Sequence, residues 1–219
     1  MTSQFDLYAS FDIESHTINA LELILEKLRQ AIEQPASWKW VVVGLHSAMH
    51  GGFALVLRRS DGAQLLPTKL EQKVYESWER ERETGVIEFV HFDHVDWFIE
   101  LYKKTQDPQR MSYLGGRPLT PTVEQNESID KLNSFRGKFL HFSADSWLIE
   151  IIIFIDILND VLPLLHFLLF EAQHGSFLYE HQERMARDLF DLITKESLRI
   201  QGFLEVESQK KKAPGNLSK

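Results

Sequence analysis

Residues 147–170 read WLIEIIIFIDILNDVLPLLHFLLF, the most apolar stretch of the 219-residue chain. Its length suits a bilayer, but Glu150, Asp156 and Asp160 interrupt it. A carboxylate near the centre of a membrane helix costs about 2.5–3.5 kcal/mol, so three of them offset most of the aliphatic gain. The stretch therefore predicts the central core helix of an all-α protein, kinked or divided at Pro163, rather than a membrane span.

Helical periodicity extends through the N-terminal part of the chain as well. A first helix is predicted to begin near Asp12 and to end before Pro35. A second helix, with Ser37 as its N-cap, is predicted over residues 38–57 and is apolar on most faces. Its glycines leave two alternatives open: close approach to a neighbouring helix, or a break at Gly51.

Two pairs of residues with capping-box spacing mark further helix starts. Thr68 with Glu71 predicts a third helix, and Thr122 with Gln125 predicts a later one that reaches about His141. In a capping box, the side chain of the first residue accepts a hydrogen bond from the backbone N–H three residues later. The side chain of that later residue accepts one from the backbone N–H of the first residue. Both pairs therefore support an all-helical chain.

The chain is expected to form a single helical domain over residues 1–206, because no repeat or linker divides it. A loop-rich insert is predicted at about residues 60–120; within it the third helix ends near Glu83, a helix capped by Asp93 runs to about Lys104, and residues 108–121 form a long loop. The last amphipathic helix is predicted at about 177–206. The polar, basic tail at 207–219 is expected to be disordered.

Composition excludes several classes of function. The chain has no cysteine, which excludes disulfides, thiolate zinc sites and a cysteine nucleophile. Its net charge of −8 argues against nonspecific polyanion binding by the whole surface, although a local basic patch remains compatible with it. No phosphate-binding loop, G-x-S-x-G elbow or dinucleotide fingerprint is present, so no cofactor is predicted.

The expected location is the cytoplasm. The first residues, MTSQFDLYASFDIE, carry acids and no basic segment before an apolar run, which argues against a signal peptide. With the apolar stretch at 147–170 interpreted as a core helix, no membrane partner is expected.

Two histidine pairs are candidate metal ligands. His46 and His50 lie four apart on the predicted second helix and share a face, but no glutamate accompanies them there. Polar groups on a core helix are the stronger interpretation. In HFDHVD at residues 91–96, neither a helix nor a strand brings His91, His94 and both aspartates together, so surface histidines and a helix cap are favoured. No metal is predicted.

Arg136 and His141 form the pair with the most specific chemistry. A histidine with a pKa near neutrality accepts a proton from a ribose 2′-hydroxyl, and an arginine holds the phosphate and offsets transition-state charge. Together they permit metal-independent RNA cleavage to a 2′,3′-cyclic phosphate. The alternative is a surface arginine and a helix-end histidine that contacts terminal carbonyls.

The surrounding segment adds to that interpretation. Residues 133–150, NSFRGKFLHFSADSWLIE, resemble the signature region of the HEPN (higher eukaryotes and prokaryotes nucleotide-binding) superfamily, whose members carry an R-x(4–6)-H motif before a long apolar helix. The resemblance covers about residues 12–58 and 122–200. Carried over, the arginine of the motif is Arg136 and its histidine is His141.

The resemblance implies a HEPN-like helical bundle that forms a homodimer. In members that are ribonucleases, the arginine and histidine of both protomers meet at the dimer cleft, and many act in toxin–antitoxin or defence systems. The resemblance therefore implies RNA or a nucleotide as the ligand and an antitoxin-like protein as a partner. Other members are noncatalytic modules that bind a nucleotide, RNA or a protein. The prediction is therefore a metal-independent endoribonuclease with His141 as acid or base and Arg136 as phosphate stabiliser, and the noncatalytic module is the alternative. Gly137 bears on this choice, because active members commonly carry a polar residue directly after the arginine.

A set of basic residues near the Arg136–His141 motif, together with one tyrosine, is the predicted substrate-binding surface. A single acid interrupts the basic residues of the preceding loop, and an aromatic side chain there is suited to stacking on a base. The alternative is that these side chains are scattered over a solvated loop. The predicted binding residues are Lys103, Lys104, Arg110, Tyr113, Arg117 and Lys138.

Overall fold

The structure is a computed structural model that describes residues 12–58, 62–87, 89–91, 94–113, 115–141, 148–172 and 178–212. Within these residues the regular structure is helical and no β-strand occurs, which confirms the all-α class. The α-helices are α1 Ile13–Gln30, α2 Trp38–Leu57, α3 Thr68–Thr84, α4 Phe98–Gln106, α5 Pro108–Tyr113, α6 Val123–Leu140, α7 Ile151–Phe170 and α8 Glu180–Lys212.

Helices α1 and α2 follow the sequence prediction closely. Asp12 is the N-cap of α1, and its carboxylate accepts the Ser15 backbone N–H at 2.6 Å. Helix α2 has the predicted bounds and is buried along most of its length. Ser37 occupies the N-cap position of α2, although its side chain makes no capping hydrogen bond.

Glycines set how closely α2 approaches its neighbours. A Cβ on Gly51 would lie 2.1 Å from Thr17 Oγ1 on α1, and one on Gly52 would lie 2.9 Å from Leu165 Cδ1 on α7. The helix runs unbroken to Leu57, so close approach is the alternative that the structure supports. Helix α2 is thereby the centre around which α1, α4, α6 and α7 pack.

Helix α7 continues through Pro163 without dividing. It begins at Ile151 with Glu150 as N-cap. By length and apolar composition, Ile151–Phe170 and Pro35–Leu57 would each suffice to cross a bilayer, but core helices of soluble proteins pass the same test. One face of α7 packs in the common core.

One capping box forms and the other does not. Thr122 and Gln125 exchange both hydrogen bonds, with Gln125 N–H donating to Thr122 Oγ1 at 3.3 Å. Helix α3 begins at Thr68 as predicted, but Pro67 is its N-cap and no side chain caps it. Glu71 instead turns inward and forms an ion pair with Arg110.

The insert and the last helix are more helical than predicted. Helix α4 lies where a helix ending near Lys104 was predicted, although its predicted cap Asp93 lies outside the described residues, and α5 occupies part of the predicted loop at 108–121. Helix α8 continues to Lys212, beyond the predicted end at 206 and into the expected tail, while residues 213–219 lie outside the described residues. Its N-terminal two thirds pack on α1 and α7.

Candidate functional site

A cavity of about 740 Å³ opens between α2, the start of α4 and the C-terminal half of α6. Its volume falls within the range of small-molecule sites in proteins. The residues that line it come from three parts of the chain: α2, the segment that leads into α4 together with the start of α4, and α6. They are His46, His50, His94, Val95, Asp96, Trp97, Phe98, Ile99, Asn133 and Arg136.

His46 forms the inner wall of the cavity. Its ring stacks on Phe98 with centroids 4.0 Å apart, and its Nε2 lies 3.2 Å from Asn133 Oδ1. Burial lowers the pKa of His46 to about 4, and the positive charge of Arg136 adds to this effect against the opposing hydrogen bond to Asn133. His46 is therefore neutral at pH 7.

His50 lies one helical turn further along α2. Burial lowers its pKa, and the nearby charge of Arg136 lowers it further, while the backbone carbonyl of Asp96 acts in the opposite direction. Its Nε2 atom is buried without a hydrogen-bond partner among the described residues. Burial therefore favours the neutral imidazole at this position.

Arg136 supplies the positive charge of the cavity. It lies one turn after Asn133 on the same face of α6, and its side chain is partly buried. No carboxylate in the described ranges lies within ion-pair distance of it. Asp96 also lines the cavity, but its carboxylate binds Lys104 Nζ at 3.0 Å and accepts the Trp97 backbone N–H at 2.9 Å. Among the described residues, Arg136 is thus a guanidinium without a counter-ion, which is the arrangement that favours an anionic ligand.

His141 lies apart from this cavity within one chain. It is the C-cap of α6, where its backbone N–H donates to the Gly137 carbonyl at 3.0 Å and its ring is exposed. Five residues of helix correspond to a rotation of about 140°, so Arg136 and His141 leave α6 in different directions. His141 is absent from the cavity lining. The structure does not bring the predicted pair together in a single protomer.

Two of the predicted binding residues are engaged in a buried network. Lys104 is buried, pairs with Asp96 and lies 3.7 Å from Glu71, and it donates to backbone carbonyls of the insert. Arg110 pairs with Glu71 at 2.7 Å and donates to Gln64. These side chains hold α3, α4 and α5 together, and neither lines the cavity.

The remaining predicted residues are exposed but dispersed. Lys103 pairs with Glu100 at 2.8 Å, and Arg117 donates to the Glu171 carbonyl at 2.7 Å. Lys138 lies over the Phe135 ring at 5.6 Å. Tyr113, at the end of α5, is 64% exposed. None of the four contributes to the cavity, so the structure does not gather them around Arg136.

Sequence reasoning missed Trp97 and Asn133. Asn133 precedes Arg136 by one helical turn, a spacing that the sequence offered. Trp97 has no comparable signal, because its place at the cavity depends on how the insert folds back onto α2. For the histidines of α2 the sequence favours polar groups on a core helix over metal ligands, and neither interpretation predicts that both line a cavity with Arg136. No group of three or more candidate metal ligands occurs in the described part of the chain.

The fold and the cavity define an all-α protein with a site suited to an anion. No protein-family model, curated protein or solved structure matches the chain.

Proposed function

We propose that the chain is a noncatalytic HEPN-like module that binds a phosphate-bearing ligand, a nucleotide or RNA, in the cavity at Arg136. The observation that supports this most directly is the guanidinium of Arg136, partly buried in a cavity without a carboxylate partner in the described ranges. A planar guanidinium binds two oxygens of a phosphate at once, and a partly enclosed site strengthens that contact.

Neutral groups around Arg136 complete the proposed phosphate site. The side-chain NH₂ of Asn133 remains available, because the Asn133 oxygen is the atom that faces His46. His46 is neutral at pH 7 and adds no charge to the inner wall of the cavity. One guanidinium with neutral hydrogen-bonding neighbours suits a single phosphate group more than an extended polyanion, in keeping with a net charge of −8.

Two features argue against cleavage. General acid–base catalysis needs the histidine within hydrogen-bond reach of the reacting hydroxyl, and His141 lies outside the cavity that holds Arg136. Gly137, next to Arg136, contributes no side chain, and a Cβ placed there meets no atom within 4 Å. The site as formed by one chain therefore lacks the Arg136–His141 pair on which the predicted cleavage depends.

A metal-independent endoribonuclease of a toxin–antitoxin or defence system is the second candidate. One observation favours it: the exposed His141 ring has no hydrogen-bond partner among the described residues and ends the helix that carries Arg136. In this alternative, the homodimer implied by the HEPN resemblance brings together the arginine and histidine of two copies. Light scattering on the purified protein would have to show a dimer for this candidate to stand.

One assay separates the two candidates. Short single-stranded RNA is incubated in EDTA with the wild-type protein, Arg136→Gln and His141→Ala; anisotropy reports binding and a denaturing gel reports cleavage. Arg199→Gln is the control, because Arg199 is an exposed arginine on α8. The proposal predicts intact RNA, binding lost in Arg136→Gln only, and unchanged binding in the other variants.

Other results would contradict the proposal. Cleavage to cyclic-phosphate ends that disappears in both Arg136→Gln and His141→Ala would establish the ribonuclease. Equal RNA binding by wild type and Arg136→Gln, with circular dichroism showing that both are folded, would show that the cavity is not the binding site. We place the protein in the cytoplasm and expect it to have either RNA or an antitoxin-like protein as its partner.

A further inference from the structure

We propose that Trp97 stacks on an unpaired base at the mouth of the Arg136 cavity, so that the ligand is a nucleotide or a single-stranded RNA end rather than a phosphate alone. The inference rests on the proposed function and adds the recognition of the base. It assigns a specificity-determining role to the insert, through a residue that lies outside the HEPN resemblance.

Trp97 is unusually exposed for a tryptophan, the residue type with the largest side chain. Its side chain is 79% exposed, whereas Trp38 is 1% exposed in the core. Trp97 nevertheless lines the cavity together with Arg136. Aromatic faces that stay exposed beside a cationic site are the usual platforms for nucleic-acid bases, because every base has a face that stacks.

The backbone that carries Trp97 is anchored by hydrogen bonds to the rest of the insert. The Asp96 carboxylate accepts the Trp97 N–H at 2.9 Å and binds Lys104 at 3.0 Å, and the Asp96 N–H donates to the Leu65 carbonyl at 2.7 Å. Asp96 and Lys104 are both buried. These hydrogen bonds anchor the backbone at Trp97, which reduces the cost of ordering this position on binding.

A continuous series of contacts joins the Trp97 segment to Arg136. Phe98, next to Trp97, stacks on His46, and His46 faces Asn133 at 3.2 Å, one turn before Arg136. The cavity between these residues measures about 740 Å³, which accommodates a mononucleotide. The aromatic rim and the cation therefore belong to one site with a common inner wall.

An exposed apolar segment offers a competing explanation. Val86, Ile87 and Phe89 are also exposed in the connection between α3 and α4, so Trp97 would alternatively belong to a protein-docking surface. None of these three residues lines the cavity, whereas Trp97 does. The geometry favours the base platform, and ligand titration distinguishes the two.

Calorimetric titration with three probes tests the inference: AMP, ribose 5-phosphate and inorganic phosphate. The wild-type protein is compared with Trp97→Phe, Trp97→Ala, Arg136→Gln and Trp40→Ala. Trp40 is an exposed tryptophan that does not line the cavity. Stacking on one base predicts that wild type binds AMP about tenfold more tightly than ribose 5-phosphate. Trp97→Ala should lose that preference, Trp97→Phe should keep most of it, and Trp40→Ala should match wild type.

The failure of this inference is distinguishable from failure of the proposed function. Equal affinity of the wild type for AMP and ribose 5-phosphate, unchanged AMP binding in Trp97→Ala, or no binding of AMP would each overturn the role of Trp97. Loss of phosphate binding in Arg136→Gln would still support the phosphate site in the first two cases. RNA binding that does not depend on Arg136 would instead overturn the proposed function itself.

Discussion

Gly137 follows the arginine of the motif on α6 and faces open space. Glycine within a helix costs about 0.5–1 kcal/mol relative to alanine, because its backbone loses more freedom on folding. Gly137→Ala should therefore raise the free energy of unfolding by about that amount, measured by urea denaturation. A loss of stability would show that a side chain at 137 meets a neighbour and would contradict the described surroundings.

His46 gives the molecule a pH dependence at the residue scale. Its pKa is about 4 in the folded chain, against the ordinary histidine value of 6.5, so the unfolded chain binds the proton more readily. The stabilisation is complete above about pH 6.5 and is lost as the pH falls towards 4. The difference amounts to about 3 kcal/mol.

The measurement is the free energy of unfolding in guanidinium at several values between pH 7 and pH 4.5. The wild type should lose stability more steeply than His46→Gln, which cannot titrate. His141→Gln serves as the control, because this histidine is exposed and lies outside the cavity. Parallel curves for wild type and His46→Gln would contradict the burial of a neutral imidazole at this position.

At this scale the candidate site could be predicted only in part. The sequence pattern singled out Arg136 and His141 because of their spacing, but spacing along a helix does not show which face points to a cavity. His46 and His50 reach Arg136 through the packing of α2 on α6, across 86 or more positions in the sequence. The proximity of these three residues depends on the tertiary structure, so no local sequence pattern predicts it.

Close packing of α1 on α2 is the element-scale feature that glycine controls. A Cβ on Gly51 would lie 2.1 Å from Thr17 Oγ1, and that hydroxyl is held by a 2.7 Å hydrogen bond to the Ile13 carbonyl. Gly51→Ala should therefore destabilise the protein by about 1–3 kcal/mol despite the better helix propensity of alanine.

Gly137→Ala is the matched control, because it makes the same substitution in a helix without a neighbour. A double variant, Gly51→Ala with Thr17→Ala, removes the clashing hydroxyl and should recover part of the loss. The three variants are compared by thermal and urea unfolding. A stabilising effect of Gly51→Ala alone would show that α1 and α2 are further apart than described.

The buried ions of the insert are the second element-scale feature. Lys104→Met leaves Asp96 without its ion-pair partner and should cost about 3–5 kcal/mol, since an uncompensated buried charge is expensive. Lys103→Met breaks only an exposed pair with Glu100 and should cost about 0–1 kcal/mol. Similar unfolding midpoints for the two variants would contradict the buried network.

Elements with strong local patterns were predicted well, and those decided by distant partners were not. The apolar run from Trp38 predicted α2 to the residue, and the Thr122 capping box formed as expected. Thr68 had the same capping spacing, yet its expected partner Glu71 pairs with Arg110, which is 39 positions away. The local spacing at Thr68 does not reveal Arg110, because that partner reaches Glu71 only in the folded chain.

The whole molecule combines a buried α2 with an insert that closes one side of the cavity. Sequence patterns predicted the all-α class and a helix ending near Lys104 in the insert, but they described residues 108–121 as a loop, whereas α5 folds there. The HEPN resemblance covers the parts that carry His46, His50 and Arg136 but not the insert that carries Trp97. The proposed site is therefore formed by the helical core, which supplies Arg136, and by the insert, which supplies the aromatic rim of the cavity.

The most direct test is the binding of short single-stranded RNA to the wild type and to Arg136→Gln, measured by anisotropy in EDTA at one fixed salt concentration. We predict saturable binding by the wild type, loss of that binding in Arg136→Gln, and intact RNA throughout. Equal binding by the two folded proteins would contradict the assignment of the cavity. RNA cleavage that requires both Arg136 and His141 would contradict the noncatalytic role.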